Sequence, residues 1–407
     1  MKKLRITTHY ATYHSLYVAI ILAVHGQAIA QPLLETGAQQ MPREWIDKDT
    51  KHKVIRLTEG PGENSSFYFH NNPFIGNTMV YYHTGENGRQ LYALDLATRQ
   101  VTPLTQYPGR IFGEITAPKT RKVYFQCGDS VMATHIDTKK TELIFRFPEN
   151  FRGSITTVNA DETLLGGVYA TEAERELFRR NPQKSSYFNI IYEAKLPRTL
   201  FVIDIQTKAL RKIHTDSAWL NHVQFSPADP ALLMFCHEGP WHLVDRIWTI
   251  NVHTRAVKLM HRRTVEREIA GHEFFSRDGK KIWFDLQVPR SVTFYLAVAD
   301  VQTGEEVRYA LQRDEWSIHY NISPDQQLFA GDGGDPGQVA RAQDGRWIYL
   351  FRPQGDRLLS EKLVNMKHHN YRLEPNVHFS PDGKWVIFRA NFEGKQQIYA
   401  VEIARNS

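Results

Sequence analysis

HVQFSPADPALLMFC (residues 222–236), HEFFSRDGKKIWFDL (272–286), HYNISPDQQLFAGDG (319–333) and NVHFSPDGKWVIFRA (376–390) are copies of one pattern. Each reads as an alternating apolar strand, a turn of Ser, Pro, Asp and Gly, and a second apolar strand. Weaker copies begin near Asn71, Glu114 and Ser154, which makes seven. A second pattern follows each copy: a strand ending in a polar residue, a Thr-containing turn and another strand. It appears as LYALDLATRQVTPLT (91–105), VMATHIDTKKTELIF (131–145), LFVIDIQTKALRKIH (200–214), IWTINVHTRAVKLMH (247–261) and FYLAVADVQTGEEVRYA (294–310), and more loosely at 347–364 and 398–403. The unit is therefore four strands long. A four-stranded sheet cannot bury both apolar faces alone, so neighbouring units must cover it. The expectation is an all-β chain folded as a seven-bladed β-propeller.

Working outward, the last unit stops at its third strand, near Ile403. HKVIRLT (52–58) resembles the outermost strand of the other units. It is expected to complete the last blade, which removes the exposed sheet edges. Residues 171–196 (TEAERELFRRNPQKSSYFNIIYEAKL) interrupt the third unit with a helix-like start and then a polar loop; they read as a lid over one face of the ring. Residues 1–30 read as a signal peptide: Lys2, Lys3 and Arg5, an apolar run from Leu16 to Val24, then Ala28-Ile29-Ala30 as a cleavage site. That run is too short to span a bilayer, and no other stretch approaches that length. The organisation expected is thus a leader over 1–30, an N-terminal extension over 31–50 and the propeller over 51–407, in a periplasmic or secreted protein.

Composition narrows the function. Charged residues make up 23% of the chain, ordinary for a globular protein. The net charge of +6 drops to +3 once Lys2, Lys3 and Arg5 leave with the leader, too weak a field to argue for nucleic acid. The frequent aromatics suit strands and also provide platforms for sugar rings. Cys127 and Cys236 fall in non-adjacent units, so two free thiols are expected.

Aligning the first pattern puts His222, His272, His319 and Asn376 in one column, where the inner strand of each unit meets the channel. Side chains from separate repeats should converge there. Further polar groups surround the column: His237, Glu238, Trp241 and His242 follow a strand in the His222 unit, Asp332 and Asp335 follow the His319 unit, and Glu374 lies two residues before Asn376. His272, Glu374 and Asn376 make a mixed nitrogen, carboxylate and amide set of the kind that holds a divalent cation, Mn or Ca. There is no His-Glu-x-x-His, no Gly-x-Ser-x-Gly and no phosphate loop.

Asp216-Ser-Ala-Trp-Leu-Asn-His222, Phe235-Cys-His-Glu-Gly-Pro240, Leu243-Val-Asp245, Gly271-His-Glu-Phe274, Gly331-Asp-Gly-Gly-Asp335 and the C-terminal FSPDGKWVIFRANFEGKQQIYAVEI resemble the oligogalacturonate lyases over most of the chain after the leader. The resemblance implies a propeller that cleaves short acidic oligosaccharides by β-elimination with a Mn-type cation. By position it implies His222 as the base, Arg198 as the assisting arginine and His272 as one metal ligand. The last unit departs from the family: a Gln-x-x-His-x-His motif is replaced by Tyr371, Glu374 and Asn376. A different cation, such as Ca, or a different uronate glycan follows from that departure.

β-Elimination needs a neutralised C6 carboxylate, a base for the C5 proton and a proton for the departing C4 oxygen. A neutral imidazole suits proton transfer near neutral pH. His237, His242 and His319 are each candidates to protonate the leaving oxygen or to hold substrate, with Glu238 and Trp241 alongside. A second class is a non-catalytic TolB-like periplasmic binding propeller, which explains the blades but not the histidine column. A third is a lyase for another uronate glycan.

Overall fold

The computed structural model describes residues 31–183 and 186–405; the expected leader and its cleavage site lie outside them. The Thr-containing turns show how sequence sets local structure here. Asp95 Oδ1 accepts from the backbone N–H groups of Ala97 and Thr98, and Asp204, Asn251 and Asp300 repeat the arrangement. Each turn ends in the left-handed region, at Arg99, Lys208, Arg255 and Gly304, which lets the chain reverse within a few residues. In the other pattern Ser226, Ser276, Ser323 and Ser380 cap the Asp- or Gly-bearing turns through their hydroxyls.

These turns connect antiparallel strands into six sheets among the described residues. The first holds Glu63–Ser65, Thr78–Gly85, Gly88–Asp95 and Val101–Pro103, with Phe74–Ile75 paired to one end of Thr78–Gly85. The next three are each four-stranded and sequential: Phe112–Ala117 to Thr141–Arg146, Gly153–Val158 to Leu210–Asp216, and Trp219–Phe225 to Val257–Leu259. An eight-stranded sheet follows. It consists of a run from Ile269–Phe275 to Glu306–Leu311 and a run from Tyr320–Ile322 to Arg357–Asn365, linked by one parallel pair, Ala310 with Arg357. The last sheet carries His378–Phe379, Trp385–Ala390 and Gln397–Arg405, with His52–Arg56 antiparallel to Gln397–Arg405. The early segment therefore supplies the missing outer strand, as the sequence pattern predicts. Leu33–Leu34 and Glu44–Asp47 extend that sheet further, which the pattern does not reveal.

Apolar clusters join each sheet to the next. One joins Ile115 and Tyr124 to Ile155 and Phe201; another joins Leu200 and Val202 to Val223 and Phe235. The last sheet meets the first through Ile387, Ile398 and Ala400 against Met79, Tyr81 and Leu94. Each fully buried Leu, Ile or Phe in these seams contributes about 1.5–3 kcal/mol. The succession closes on itself, so the architecture is all-β and propeller-like. Both cysteines are free.

The copy expected near Asn71 is present with a short first strand: Phe74–Ile75 turns back on Thr78–Gly85, and residues 66–73 before it are irregular. One expectation needs correction. The insertion is not a helix followed by a polar loop. It carries two helices, Glu172–Arg180 and Tyr187–Ala194, between the second and third strands of its sheet. Thr171 caps the first through a bond to the Glu174 N–H, and Phe188 and Phe178 pack on Trp219, so the second half is apolar enough to dock.

Candidate active site

The inner strands bulge where they meet the channel. Pairing of Trp219–Phe225 slips between Asn221 and Gln224, and pairing of Ile269–Phe275 slips between Gly271 and Phe274. His222 and His272 sit in those slips with φ of 46° and 50°, and Asn376 has φ of 52°. Histidine and asparagine tolerate this left-handed geometry better than most residues. A bulge re-aims a side chain out of the alternating pattern, and here it leaves the next residue, Val223 or Glu273, buried behind the imidazole.

The segment Phe67–Asn71 runs through the middle of these strands. Phe69 donates its N–H to Asn376 Oδ1 at 2.9 Å and accepts from Asn321 Nδ2 at 3.1 Å. Its ring stacks on His319 at 4.6 Å and meets His272 edge-on at 6.2 Å. Tyr68 lies 5.0 Å from the His319 ring and 5.8 Å from that of His222, and its hydroxyl is 3.2 Å from His319 Nε2. The rings of His272 and His319 are 4.9 Å apart. Three of the four column residues thus form one connected cluster around Tyr68 and Phe69.

Each imidazole is held by a carboxylate. His222 Nε2 is 3.3 Å from Glu238 Oε2. A carboxylate only accepts, so a hydrogen bond across this gap is donated by Nε2. Glu238 also accepts from Arg246 Nη1 at 2.5 Å, Trp241 Nε1 at 3.1 Å and Asn221 Nδ2 at 3.2 Å. Burial alone would raise the Glu238 carboxyl, but Arg246 and His222 together outweigh it and hold it well below the usual range. Arg246 is 1% exposed and reaches onward to Glu273 Oε2 at 2.9 Å.

His272 Nδ1 is 2.7 Å from Asp285 Oδ1. Burial works to lower its pKa, yet the Asp285 carboxylate prevails and raises it. His319 Nδ1 is 2.8 Å from Asp332 Oδ2, and burial, reinforced by His272, keeps this ring neutral. Burial also pushes Asp332 up to about 7, against the N–H bonds it accepts from His319 and Asn376.

Arg198 opens the strand Arg198–Asp204. Its guanidinium stands 5.6 Å over the Trp219 ring and 3.1 Å from Glu174 of the first insertion helix. Its Nε and Nη1 are buried without a hydrogen-bond partner. It shares an electrostatic neighbourhood with Glu238 and Cys236, and so with the His222 end of the cluster. Phe188 from the second helix meets Trp241, which in turn meets His272 edge-on at 5.3 Å. The insertion therefore covers this side of the site.

The remaining residues singled out from sequence separate. His237 alternates with Glu238 along their strand and faces the other way, stacking on Trp248 at 4.8 Å with Asp216 at 3.8 Å. Among the described residues the His242 ring makes none of the cluster's contacts, and its carbonyl accepts from Arg263. Glu374 is 47% exposed, 3.8 Å from His319 Nε2. Asn376 is spent on the chain itself, Oδ1 on Phe69 N–H and Nδ2 on the Glu374 carbonyl. Tyr371, buried, donates to the Asp332 carbonyl at 3.0 Å.

Among the described residues, three metal-type donors lie within 4.8 Å of one another only at His222, Cys236 and Glu238. Burial raises the Cys236 thiol well above its usual range, and Arg246 already neutralises Glu238, so that trio is a poor cation site. His272 and Glu374 share an electrostatic neighbourhood but form no metal-type group with a third donor among the described residues.

Sequence reasoning passed over Tyr68, Phe69, Arg246, Glu273 and Asp285. The signal for Glu273 and Asp285 was a charged residue inside an otherwise apolar strand, a position that charges occupy only when paired; Arg246 stands just before the strand Ile247–Asn251 and carries no such mark. Nothing local marks Tyr68 and Phe69, because their role depends on the chain crossing the channel.

The fold and this pocket define a propeller-like all-β protein with imidazoles and carboxylates gathered at an axial site. Residues 40–407 match the family described as oligogalacturonate lyase, and the chain belongs to that family. It is 26% identical over 382 residues to an oligogalacturonide lyase of Pectobacterium atrosepticum, covering 88% of this chain and 95% of that one. A solved oligogalacturonate lyase in complex with manganese superposes with TM-score 0.77 at 23% identity, over 89% of this chain and 96% of that chain. The Cps50 (Swd1) β-propeller domain of Myceliophteria thermophila superposes with TM-score 0.53 at 9% identity, over 87% and 100% of the two chains.

Proposed function

We propose that the protein is a lyase that cleaves uronate-containing oligosaccharides, of the oligogalacturonate type, by β-elimination. The observation that carries this reading is the relay His222–Glu238–Arg246. A fixed carboxylate holds the imidazole in one tautomer and leaves Nδ1 free to accept a proton, the arrangement of an oriented general base. The half-satisfied guanidinium of Arg198 beside it receives the C6 carboxylate of the sugar. That pairing lowers the cost of charge building at C5 as its proton moves to His222 Nδ1. The C4–O bond then breaks, its electrons leave on oxygen, and that oxygen takes a proton from the Tyr68–His319 pair. A divalent cation held by His272 and Glu374 would add Lewis-acid neutralisation of the same carboxylate when bound. Trp241 and the insertion helices bound the sugar site on the Arg198 side.

The commitment of Tyr371 and Asn376 to chain contacts favours a second reading within this class, a substrate or cation unlike that of the manganese-bound relative. We also propose seven blades, since the eight-stranded sheet divides into two four-stranded runs at its single parallel link, and an exported, periplasmic or secreted location, from the leader-like start.

The test is a panel of uronate oligomers followed by the ultraviolet absorbance of the unsaturated product. Wild type should act on at least one, and His222→Ala should lose about 10²–10⁴-fold in kcat/KM with an unchanged circular dichroism spectrum. Full activity in His222→Ala would remove the base assignment. Inactivity of wild type on every oligomer, with and without Mn or Ca, would remove the lyase.

A further inference from the structure

Arg198 is closed off by the chain's own insertion. Its side chain is 12% exposed, and Nε and Nη1 are buried. A carboxylate grips a guanidinium through two of its nitrogens at once. Every such pair on Arg198 includes Nε or Nη1, so no forked contact is open while the insertion stays down. The group that faces Nη1 is already a carboxylate. Glu174, with a side chain 4% exposed, places Oε1 3.1 Å from it.

This internal contact is poorly made. Neither Nε nor Nη1 of Arg198 has a hydrogen bond, and Glu174 Oε2 is buried without one. Burial raises the Glu174 carboxyl above its usual range, although Arg198 opposes the shift. Two charges taken from water without aligned bonds recover little of their desolvation cost. The helix that carries Glu174 is lightly held as well. Of the nine residues Glu172–Arg180, only Glu174 is buried. The outer charges pair with one another, Glu172 with Arg175 and Glu176 with Arg180. Phe178, half-buried, meets the rings of Trp219 and Tyr187. A helix of this length does not persist in water once it loses its docking contacts.

We propose that Glu174 is a built-in occupant of the substrate's carboxylate site, and that an acidic sugar displaces it from Arg198 and lifts Glu172–Arg180 away. The incoming carboxylate makes the forked contact that Glu174 lacks, and Glu174 returns to water. A neutral sugar cannot take over the charge on Arg198, so the exchange selects for uronates. The displacement rests on the lyase reading, in which Arg198 receives the C6 carboxylate.

Hydrogen–deuterium exchange and calorimetry test it in a His222→Ala protein, with trigalacturonate as the probe. Binding should speed exchange of the amides of residues 175–180 at least about tenfold, the reverse of ordinary ligand protection. Adding Glu174→Gln leaves Arg198 without its counter-charge in the closed arrangement. The same amides should then exchange at least about tenfold faster with no probe present, and the probe should bind at least about tenfold tighter. That factor is the one expected for a site closed about nine-tenths of the time or more. The circular dichroism spectrum and melt of the propeller should not change. Slower or unchanged exchange on binding would mean that the helix closes over the sugar, and overturns the displacement. Equal or weaker binding in Glu174→Gln, the result of a merely structural role, overturns the competition. No binding of trigalacturonate to either protein overturns both. The lyase reading is judged separately, by turnover of wild type on the uronate panel, so its failure is told apart from these.

Discussion

Replacing Arg246 with Met probes the support beneath the proposed base. The Met side chain keeps much of the arginine stem's packing while removing the guanidinium. Two carboxylates, Glu238 at 4% and Glu273 at 0% side-chain exposure, then lose the cation that holds them at 2.5 and 2.9 Å. Removing one partner of a buried ion pair costs about 3–5 kcal/mol, and this change strips two acids at once. At roughly 2 °C per kcal/mol for a large domain, the melting temperature should fall by roughly 6–10 °C. The pH dependence carries a sign. In wild type the folded Glu238 lies well below its usual range. Its contribution is therefore present above the unfolded value near about 4.3 and lost as pH falls through the lower folded value. In Arg246→Met burial loses its main opponent and the folded value rises above the unfolded one. Stability is then greatest at low pH and is lost as pH rises through the raised folded value. The gap between variant and wild type should accordingly narrow between about pH 8 and about pH 5. Circular dichroism melts at a fixed scan rate read both effects. A shift below about 2 °C, or a gap that widens on acidification, would refute the reasoning.

Asn376→Ala should cost about 1–3 kcal/mol, because it orphans the Phe69 N–H in a left-handed position where alanine is strained, while the concentration of Mn or Ca giving half-maximal activity stays the same; a large rise in that concentration would restore Asn376 as a ligand. Thiol titration of the native protein should find Cys127 reactive and Cys236, fully buried with its pKa raised by burial, silent until unfolding; two fast thiols would contradict the packing around Glu238. Trp241→Phe removes the Nε1 bond to Glu238 and shrinks the ring that meets His272, Phe188 and Arg246, and should cost about 1–3 kcal/mol in a denaturant melt; no measurable loss would mean that the indole does not steady that carboxylate.

The sequence by itself determined the all-β architecture, the antiparallel pairing within each unit, the closing strand at 52–58, the free cysteines and the histidine column. Those features rest on alternation and turn chemistry, which act over a few residues and recur along the chain. His222, His272 and His319 converge because equivalent positions in a closed ring must do so. The structure alone decided which neighbours serve them. His237 and Glu238 are adjacent in sequence yet face opposite ways, Asn376 turned to the backbone rather than to the cavity, and the helix of residues 187–194 docked where a loop was expected. Tyr68 and Phe69 entered the site because a segment lacking strand periodicity crosses the channel, and Arg246 joined two acids from different sheets. Contacts of that kind depend on the packing of distant segments, and no local pattern records them.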